Sequence, residues 1–230
     1  MKNNFLKFCS QIPWFFNESD GISIHDIEIT FSDDFTKLYP NLYQLLSRAD
    51  TDLVELERDQ EISKFYLFTW KNINGETSGW LCKIEEEIQF DIPNDLEILI
   101  KNIGGIQESY SEILDDEQRF TDNQNFLFIA SELRKGIGLW NEFYLDLCKE
   151  ENKIPIDTAN LLRIAEEANG NETFLDLNTS EVLLFAPDHD FEYVSILKNQ
   201  PEYTFYKIKK VSTIVDYTEI LAKQWMIVAQ

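Results

Sequence analysis

Hydrophobic and polar positions in the first 90 residues change between helical and strand-like spacing. The pattern predicts a short helix over 5–9, a strand over 22–29, a helix over 42–46 and strands over 64–71 and 77–85. The residues between the last two strands, Asn72 to Gly75, have the turn chemistry of a β-hairpin. This part of the chain is therefore expected to contain two short helices followed by a hairpin.

The clearest helix signal begins at Pro93, which suits the first turn of a helix because its missing N–H would have no partner there. Apolar residues then follow at helical spacing, namely Leu96, Leu99, Ile100 and Ile103. Gly104 can close this helix in the left-handed conformation. We therefore predict a helix that begins near Pro93 and ends at Gly104.

Two further helices are predicted beyond an acidic loop. The first carries a row of large apolar residues at helical spacing, namely Trp140, Phe143, Tyr144 and Leu147. The second follows Asp157 and has Leu161, Ile164, Ala165 and Ala168 on one face. Trp140, Phe143, Tyr144 and the later Trp225 are expected in the core. An exposed aromatic residue among them would instead indicate an anchor for a binding partner, because aromatic residues dominate interface hot spots.

Strand patterns account for most of the remaining sequence. We predict a buried strand over 126–129, a second hairpin from 173–177 and 182–185, a strand over 203–209 and a last helix over 212–226. Helices and hairpins follow one another without a regular βαβ alternation. The expected class is therefore α+β, with a single, mostly antiparallel sheet flanked by helices.

The net charge of the chain limits the classes of partner that it is expected to bind. With 42 acidic and 20 basic residues among 230, the formal net charge is −22. A field of this sign opposes contact with phosphate backbones and with anionic lipid surfaces. We therefore expect neither nucleic acid nor a membrane as a partner, whereas the apolar fraction of 43% predicts a folded core.

Cysteine usage and the N-terminal sequence indicate a compartment. Cys9, Cys82 and Cys148 are odd in number, far apart and surrounded by apolar residues, which is typical of reduced, buried thiols. The N-terminal residues lack an apolar stretch of signal-peptide length, and no uncharged run of 18 residues occurs. These features predict a cytoplasmic protein.

Several short motifs after residue 90 carry a family resemblance through their order and spacing. They are Ile92-Pro93-x-Asp95-Leu96 leading to Gly104-Gly105, Ile164-Ala165-Glu166-x-x-Asn169-Gly170-x-x-x-Phe174-Leu175-Asp176-Leu177, Thr179-x-Glu181-Val182 and Asp188-His189-Asp190. In this arrangement they resemble the SUKH superfamily, the relatives of the yeast cell-wall glucan-synthesis regulator. We expect one domain over 1–230, with a SUKH-like core at 91–226 and an N-terminal extension at 1–90.

The resemblance implies a function without catalysis. Bacterial members of this family are typically immunity proteins, which bind and neutralise a cognate toxin delivered between competing cells. The family has no shared catalytic residues, so we expect no catalytic residue, metal or cofactor. The alternative that the same resemblance implies is a regulator or adaptor akin to the cell-wall regulators, with several endogenous partners.

Local chemistry adds two further alternatives. Asp188, His189 and Asp190 could together hold a divalent metal or tune a general base, although adjacent side chains of an extended segment point to opposite faces. A turn whose aspartates accept nearby backbone N–H groups is the favoured interpretation. An acidic hydrolase with two carboxylates is the enzyme alternative, but 42 acidic residues give no way to select a pair.

Combining the charge with the resemblance predicts a basic protein partner. A strongly negative field speeds association with a cationic toxin, for instance a nuclease, and makes that association sensitive to salt. Clusters of carboxylates are where such a partner would make contact. The candidate partner-binding residues are Asp115, Asp116, Glu117, Asp188 and Asp190.

Overall fold

The computed structural model describes residues 3–85, 87–88, 91–110, 124–188 and 193–229. The helices of this described part are α1 (Asn3–Cys9), α2 (Asp33–Leu38), α3 (Pro40–Leu46), α4 (Asn94–Ile103), α5 (Trp140–Glu150) and α6 (Ile214–Val228). Its strands are β1 (Gly21–Asp26), β2 (Asp50–Arg58), β3 (Glu61–Lys71), β4 (Thr77–Ile84), β5 (Gly105–Tyr110), β6 (Gln124–Leu127), β7 (Arg134–Lys135), β8 (Leu161–Glu167), β9 (Glu172–Asp176), β10 (Val182–Phe185), β11 (Val194–Ile196) and β12 (Phe205–Ile208).

All of these strands belong to one open antiparallel sheet. Its order is β1-β2-β3-β4-β5-β6-β8-β9-β10-β12-β11, with the short β7 also paired to β8. Successive strands are mostly neighbours, so hairpins and short connections build nearly the whole sheet. The predicted α+β class, with a single antiparallel sheet flanked by helices, is confirmed.

The first 90 residues contribute β1 to β4, and β4 pairs with β5. The segment predicted as an N-terminal extension therefore forms the first strands of the same sheet. The division into an extension and a SUKH-like core stays a prediction.

The sheet buries apolar side chains on both faces. One face packs against α2, α3, α4 and α6. The apolar cluster between this face and the helices contains Trp80, Ile164 and Trp225. The opposite face is covered in two places, by α1 over β2 to β4 and by α5 over β8 to β12. The side-chain alternation of a strand explains this division, since Phe174 faces the α5 cluster and the next residue, Leu175, faces the α6 cluster.

Helices α4 and α6 confirm their sequence signals. Pro93 is the N-cap of α4, and Gly104 ends it at a φ of 73°. A Cβ atom at Gly104 would lie 2.3 Å from the Lys83 carbonyl oxygen, so both the backbone conformation and the close approach require glycine. The last helix begins with a capping box formed by Thr213 and Asp216.

The helix predicted after Asp157 is wrong. Asp157 does cap a turn, because its side chain accepts from the Ala159 N–H, but the turn is one 3-10 helix and strand β8 follows. Strand β8 is buried on both faces, so its sequence lacks the alternation that marks a half-exposed strand. The apolar residues at 161, 164 and 165 in β8, together with Ala168 just after it, imitate helical spacing.

Cysteine chemistry follows the prediction. All three cysteines are unpaired thiols, with Cys82 and Cys148 buried and Cys9 half-buried. Burial raises the pKa of Cys9 to about 12, which keeps this thiol protonated at neutral pH. Among the described helices, none combines the length and the apolar composition that a membrane crossing requires.

An ion pair holds the segment between α1 and β1 against the sheet. The Arg58 guanidinium donates to both carboxylate oxygens of Asp20, at 3.0 and 2.6 Å, and to the Phe15 carbonyl at 2.7 Å. The Arg58 bonds, aided by the Asn17 N–H, lower the pKa of Asp20 from 3.8 to about 2. The Asp20 carboxylate therefore stays ionised in the folded protein under acidic conditions that protonate an ordinary aspartate.

Replacing Asp20 with asparagine should destabilise the protein at neutral pH but much less in strong acid. The folded-state pKa lies below the ordinary value, so the stability contributed by Asp20 is present above pH 3.8 and is lost as the pH falls through about 2. Urea unfolding of the wild type and of D20N at pH 7 and at several acidic pH values measures this difference. A difference that stays constant across the series would contradict the assigned pKa.

Candidate protein-binding surface on helix α5

Helix α5 is held on the sheet by its inner side. Tyr144 and Cys148 are buried against the sheet residues of the α5 cluster, and the Tyr144 ring lies 5.1 Å from the ring of Phe205 in an edge-to-face contact. At the first turn, Trp140 contacts the ring of Phe185 at 5.9 Å. These aromatic contacts fix which side of α5 faces the solvent.

A buried hydrogen-bond chain fixes the loop that follows α5. The Tyr144 hydroxyl donates to the Gln200 side-chain oxygen at 2.5 Å and accepts from the Ile156 N–H at 2.7 Å. The Gln200 amide in turn donates to the Ile154 carbonyl at 3.1 Å. Helix α5 and the loop after it therefore form one rigid support, because buried polar groups that satisfy one another resist displacement.

Large apolar side chains are exposed on and beside this support. Leu139, the residue before α5, is 99% exposed, and Ile154 in the following loop is 85% exposed. They are the two most exposed large apolar side chains among the described residues. Phe143, one helical turn after Leu139, is 37% exposed, and Leu145 is also exposed. Leu139 and Phe143 are neighbours at i, i+4, and adjoining exposed apolar side chains are a feature of protein-binding sites.

A row of carboxylates runs along the same outer side of α5. Glu142, Asp146 and Glu150 are spaced at i, i+4 and i+8, which places them one above another on the helix surface. All three are exposed, and within the described part of the chain none of them forms an ion pair. Like charges at this spacing cost about 0.2–0.5 kcal/mol per pair, so the row weakens the isolated helix.

We define the α5 surface as Leu139, Glu142, Phe143, Asp146 and Glu150. Lys149 is the one cation in the sequence of α5, and it forms no ion pair with the described carboxylates. The α5 surface therefore combines exposed apolar groups with an uncompensated negative charge. Such a surface suits a partner that offers apolar and cationic groups together.

The residues predicted from sequence as partner-binding are not among those that define the α5 surface. Asp115, Asp116, Glu117 and Asp190 lie outside the described residues. Asp188 is exposed, three residues after β10 ends at Phe185, and Phe185 itself packs against Trp140 of α5. Their assignment as binding residues stays a prediction.

The four aromatic residues expected in the core differ in their burial. Tyr144 and Trp225 are buried, as expected for core residues, and Trp140 is partly buried. Phe143 is the exposed member, which the sequence identified as the sign of a binding anchor. Leu139 and the acidic row were not singled out from sequence, although the i, i+4, i+8 spacing of the carboxylates was a signal for them.

A second cluster of charges lies inside the sheet. Arg163 is buried and donates to the carboxylates of Glu166 and Glu172, and its guanidinium stacks 4.8 Å from the Phe126 ring centre. Burial raises the pKa of Glu172, although Arg134 and Arg163 oppose this shift. The Glu172 and Glu166 carboxylates are occupied by arginine in this arrangement, so we do not assign them to a binding surface.

Two other arrangements bear on the enzyme and metal alternatives. A groove of about 280 Å³ beside α4 is lined by Glu85, Asp91, Glu97 and Lys101 together with apolar residues. Hydrogen bonds from Ser131 and the nearby Lys83 lower the pKa of Glu85 despite its burial, which is opposite to the shift that a general acid needs. Within the described residues, no three metal-ligating side chains come together.

Comparisons of the chain with protein-family models, with curated proteins and with solved structures find no match.

Proposed function

We propose that this chain is a non-enzymatic immunity protein of the SUKH type, which acts in the cytoplasm by binding and neutralising a basic toxin. The α5 surface is the proposed contact. The observation that carries the proposal is the pairing of the fully exposed Leu139 and the exposed Phe143 with three carboxylates that form no ion pair with any described residue.

Charge supports the choice of a cationic partner. A net charge of −22 creates a long-range field that attracts a basic protein and orients it before contact. The local row of Glu142, Asp146 and Glu150 would then be neutralised by lysine or arginine side chains on the partner. This contact would remove the like-charge repulsion that the free helix carries.

Apolar burial supports the choice of a protein partner over a small cation. Leu139 and Phe143 lie one helical turn apart, so one apolar residue of a partner could contact both. Burying such side chains at the centre of an interface contributes most of the affinity, whereas the surrounding charges mainly govern the rate of encounter. The two sets of residues should therefore affect different rate constants.

The partner must be identified before these rates can be measured. Tagged protein purified from its native cell should bring down a basic protein, which mass spectrometry identifies. Expression of that protein alone should stop growth, and co-expression of this chain should restore it. Recovery of an acidic partner, or of a basic one without toxicity, would contradict the proposed function.

We predict a kinetic division between the two parts of the α5 surface. The triple variant E142Q/D146N/E150Q should bind the purified toxin with an association rate about tenfold lower at low salt, because it loses three charges at the contact. The double variant L139A/F143A should instead raise the dissociation rate by about 10–100-fold, with little effect on association. Surface-bound toxin and stopped-flow mixing measure both rates.

The matched control is E61Q/E76Q/E87Q, which removes an equal number of charges from exposed residues outside α5. It should lower the association rate by less than about twofold, because only the long-range part of the field changes. Equal effects of the two triple variants would show that net charge alone governs binding. In that case the assignment of α5 as the contact would be wrong.

A further inference from the structure

Strand β1 leaves one edge of the sheet open. It pairs with β2 on one side only, and no described strand lies on its other side. The opposite edge of the sheet, β11, is only three residues long. An open edge offers backbone N–H and C=O groups to another extended chain.

The register identifies the groups that face outward. The Ile27 N–H, just after β1, donates to the Thr51 carbonyl of β2. In an antiparallel pair every second residue is bonded in this way, so Ser23 and His25 also use their backbone groups to bind β2. The direction of the backbone groups alternates along the strand. The N–H and C=O groups of Ile22 and Ile24 therefore point away from β2. An added strand would bind to these groups.

Features that usually protect an edge are absent from β1. Its sequence, Gly-Ile-Ser-Ile-His-Asp, has neither lysine nor proline, and its pairing with β2 runs without a bulge. Natural sheets use lysine, proline, bulges or very short strands to prevent pairing at an edge. The short β11 follows this rule, and the six residues of β1 do not.

Charge around β1 selects the kind of strand that fits. Residues 8–36 contain no lysine or arginine but six acidic residues, namely Glu18, Asp20, Asp26, Glu28, Asp33 and Asp34. One of them, Asp20, is already paired with Arg58 of β2. In the neighbouring strand β2, the Glu57 side chain reaches over Gly21 of β1. One of its carboxylate oxygens lies 3.4 Å from the position that a Cβ atom on Gly21 would take, so this negative charge lies beside the open edge. A second copy of this chain would bring the same acidic residues against them.

We propose that the open edge of β1 binds an extended, basic segment of a protein partner by strand addition. Ile22 and Ile24 contribute to the apolar cluster under α1, whereas Ser23 and His25 are exposed on the other face. The added strand therefore carries apolar residues beside the two isoleucines and basic residues beside Glu57. This proposal takes only the positive charge of the partner from the proposed function, and its contact is distinct from the α5 surface.

The test uses a capped heptapeptide of alternating lysine and valine, with amide hydrogen exchange of the wild-type protein measured by NMR. In the free protein, the amides of Ile22 and Ile24 should exchange rapidly, whereas those of Ser23 and His25 are protected by β2. Added peptide should slow exchange at Ile22 and Ile24 by at least about tenfold and leave Ser23 and His25 nearly unchanged. Unchanged exchange at both isoleucines would overturn the proposal.

Altered peptides separate strand addition from general attraction to an acidic surface. A peptide N-methylated at alternate residues loses the N–H groups of one of its two edges. Two such peptides exist, which we call phases, and they differ in which set of alternate residues is methylated. One phase should bind and the other should not. A glutamate–valine peptide should not bind. Equal binding of both N-methylated phases, or protection that grows with the concentration of protein alone, would contradict the proposed occupant.

Variants of Ile24 provide the protein-side comparison. Ile24→Pro removes an N–H that β2 does not use, and should weaken peptide binding by at least about tenfold. Ile24→Ala removes comparable side-chain volume but keeps the N–H, and should change binding by less than about threefold. The α5 variants should leave peptide binding unchanged, so failure at β1 and failure of the α5 contact are measured independently.

Discussion

Replacing Trp225 with alanine is expected to lower the free energy of unfolding by about 3–5 kcal/mol, because a buried tryptophan leaves a large cavity. Trp225 lies in α6 and contacts Trp70 of β3 and Trp80 of β4, each with ring centres 5.5 Å apart and near-perpendicular planes. Trp70 and Trp80 also contact each other at 5.6 Å. Removing one ring therefore removes two favourable edge-to-face contacts together with the buried area.

Urea unfolding followed by far-ultraviolet circular dichroism measures this loss without relying on tryptophan fluorescence. The matched control is Trp14→Ala, since Trp14 is 68% exposed and its indole N–H makes one bond, to Glu108 at 3.3 Å. This variant should change stability by less than about 1 kcal/mol. Comparable losses in the two variants would show that the three-tryptophan cluster contributes no more than surface contacts do.

The tryptophan cluster also connects the first 90 residues with the last helix. Trp70 and Trp80 come from the first hairpin, and Trp225 comes from the last helix. The hairpin itself could be predicted because Asn72 to Gly75 is a local turn signal. Its contact with α6 could not be predicted, because it joins residues about 150 positions apart that no local pattern connects.

The same distinction accounts for the parts of the fold that were missed. Helices α4 and α6 carry their caps and apolar rows within short stretches of sequence, so their existence follows from local rules. Strand β8 contributes Leu161 to the α5 cluster and Leu162, Ile164 and Ala165 to the α6 cluster on the other face. Its continuous apolar sequence is the result of that tertiary burial, and periodicity alone cannot separate it from a helix.

For the candidate site, sequence predicted the helix but not its outward side. Phe143 and Tyr144 are adjacent and equally compatible with a core, and the contact of Tyr144 with Phe205 and Gln200 decides which of them is buried. The acidic row at 142, 146 and 150 was readable as one side of a helix. Its lack of cationic partners within the described part of the chain depends on where the other elements place their lysines and arginines.

Burial of Arg163 underlies the second large effect. Its side chain is 4% exposed, and it donates to Glu172 at 3.2 Å, to the Glu132 carbonyl at 3.1 Å and to the Glu166 carboxylate. Glu172 is equally buried and its other partner is the half-exposed Arg134. A buried ion pair adds little net stability, but removing one partner leaves an uncompensated charge in the interior.

Replacing Arg163 with methionine should therefore lower the free energy of unfolding by about 3–5 kcal/mol at neutral pH. The loss should shrink on acidification, because burial already raises the pKa of Glu172 and the loss of Arg163 raises it further. A glutamate whose folded-state pKa is raised favours the folded protein while it is protonated, and this stability is lost as the pH rises from the ordinary value through the folded one. Urea unfolding of the variant and the wild type at several pH values measures both the loss and its pH dependence.

Two comparison variants separate the charge from the packing. Arg134→Met removes the half-exposed partner of the same carboxylate and should cost less than about 2 kcal/mol, because Glu172 keeps Arg163. The double variant R163M/E172L should regain most of the lost stability, since Glu132 and Glu166 are partly exposed and can turn to water once the buried carboxylate is gone. If the double variant is as unstable as R163M, then Arg163 stabilises the sheet through its contact with Phe126 and its bond to the Glu132 carbonyl, and the buried charge of Glu172 has little part in it.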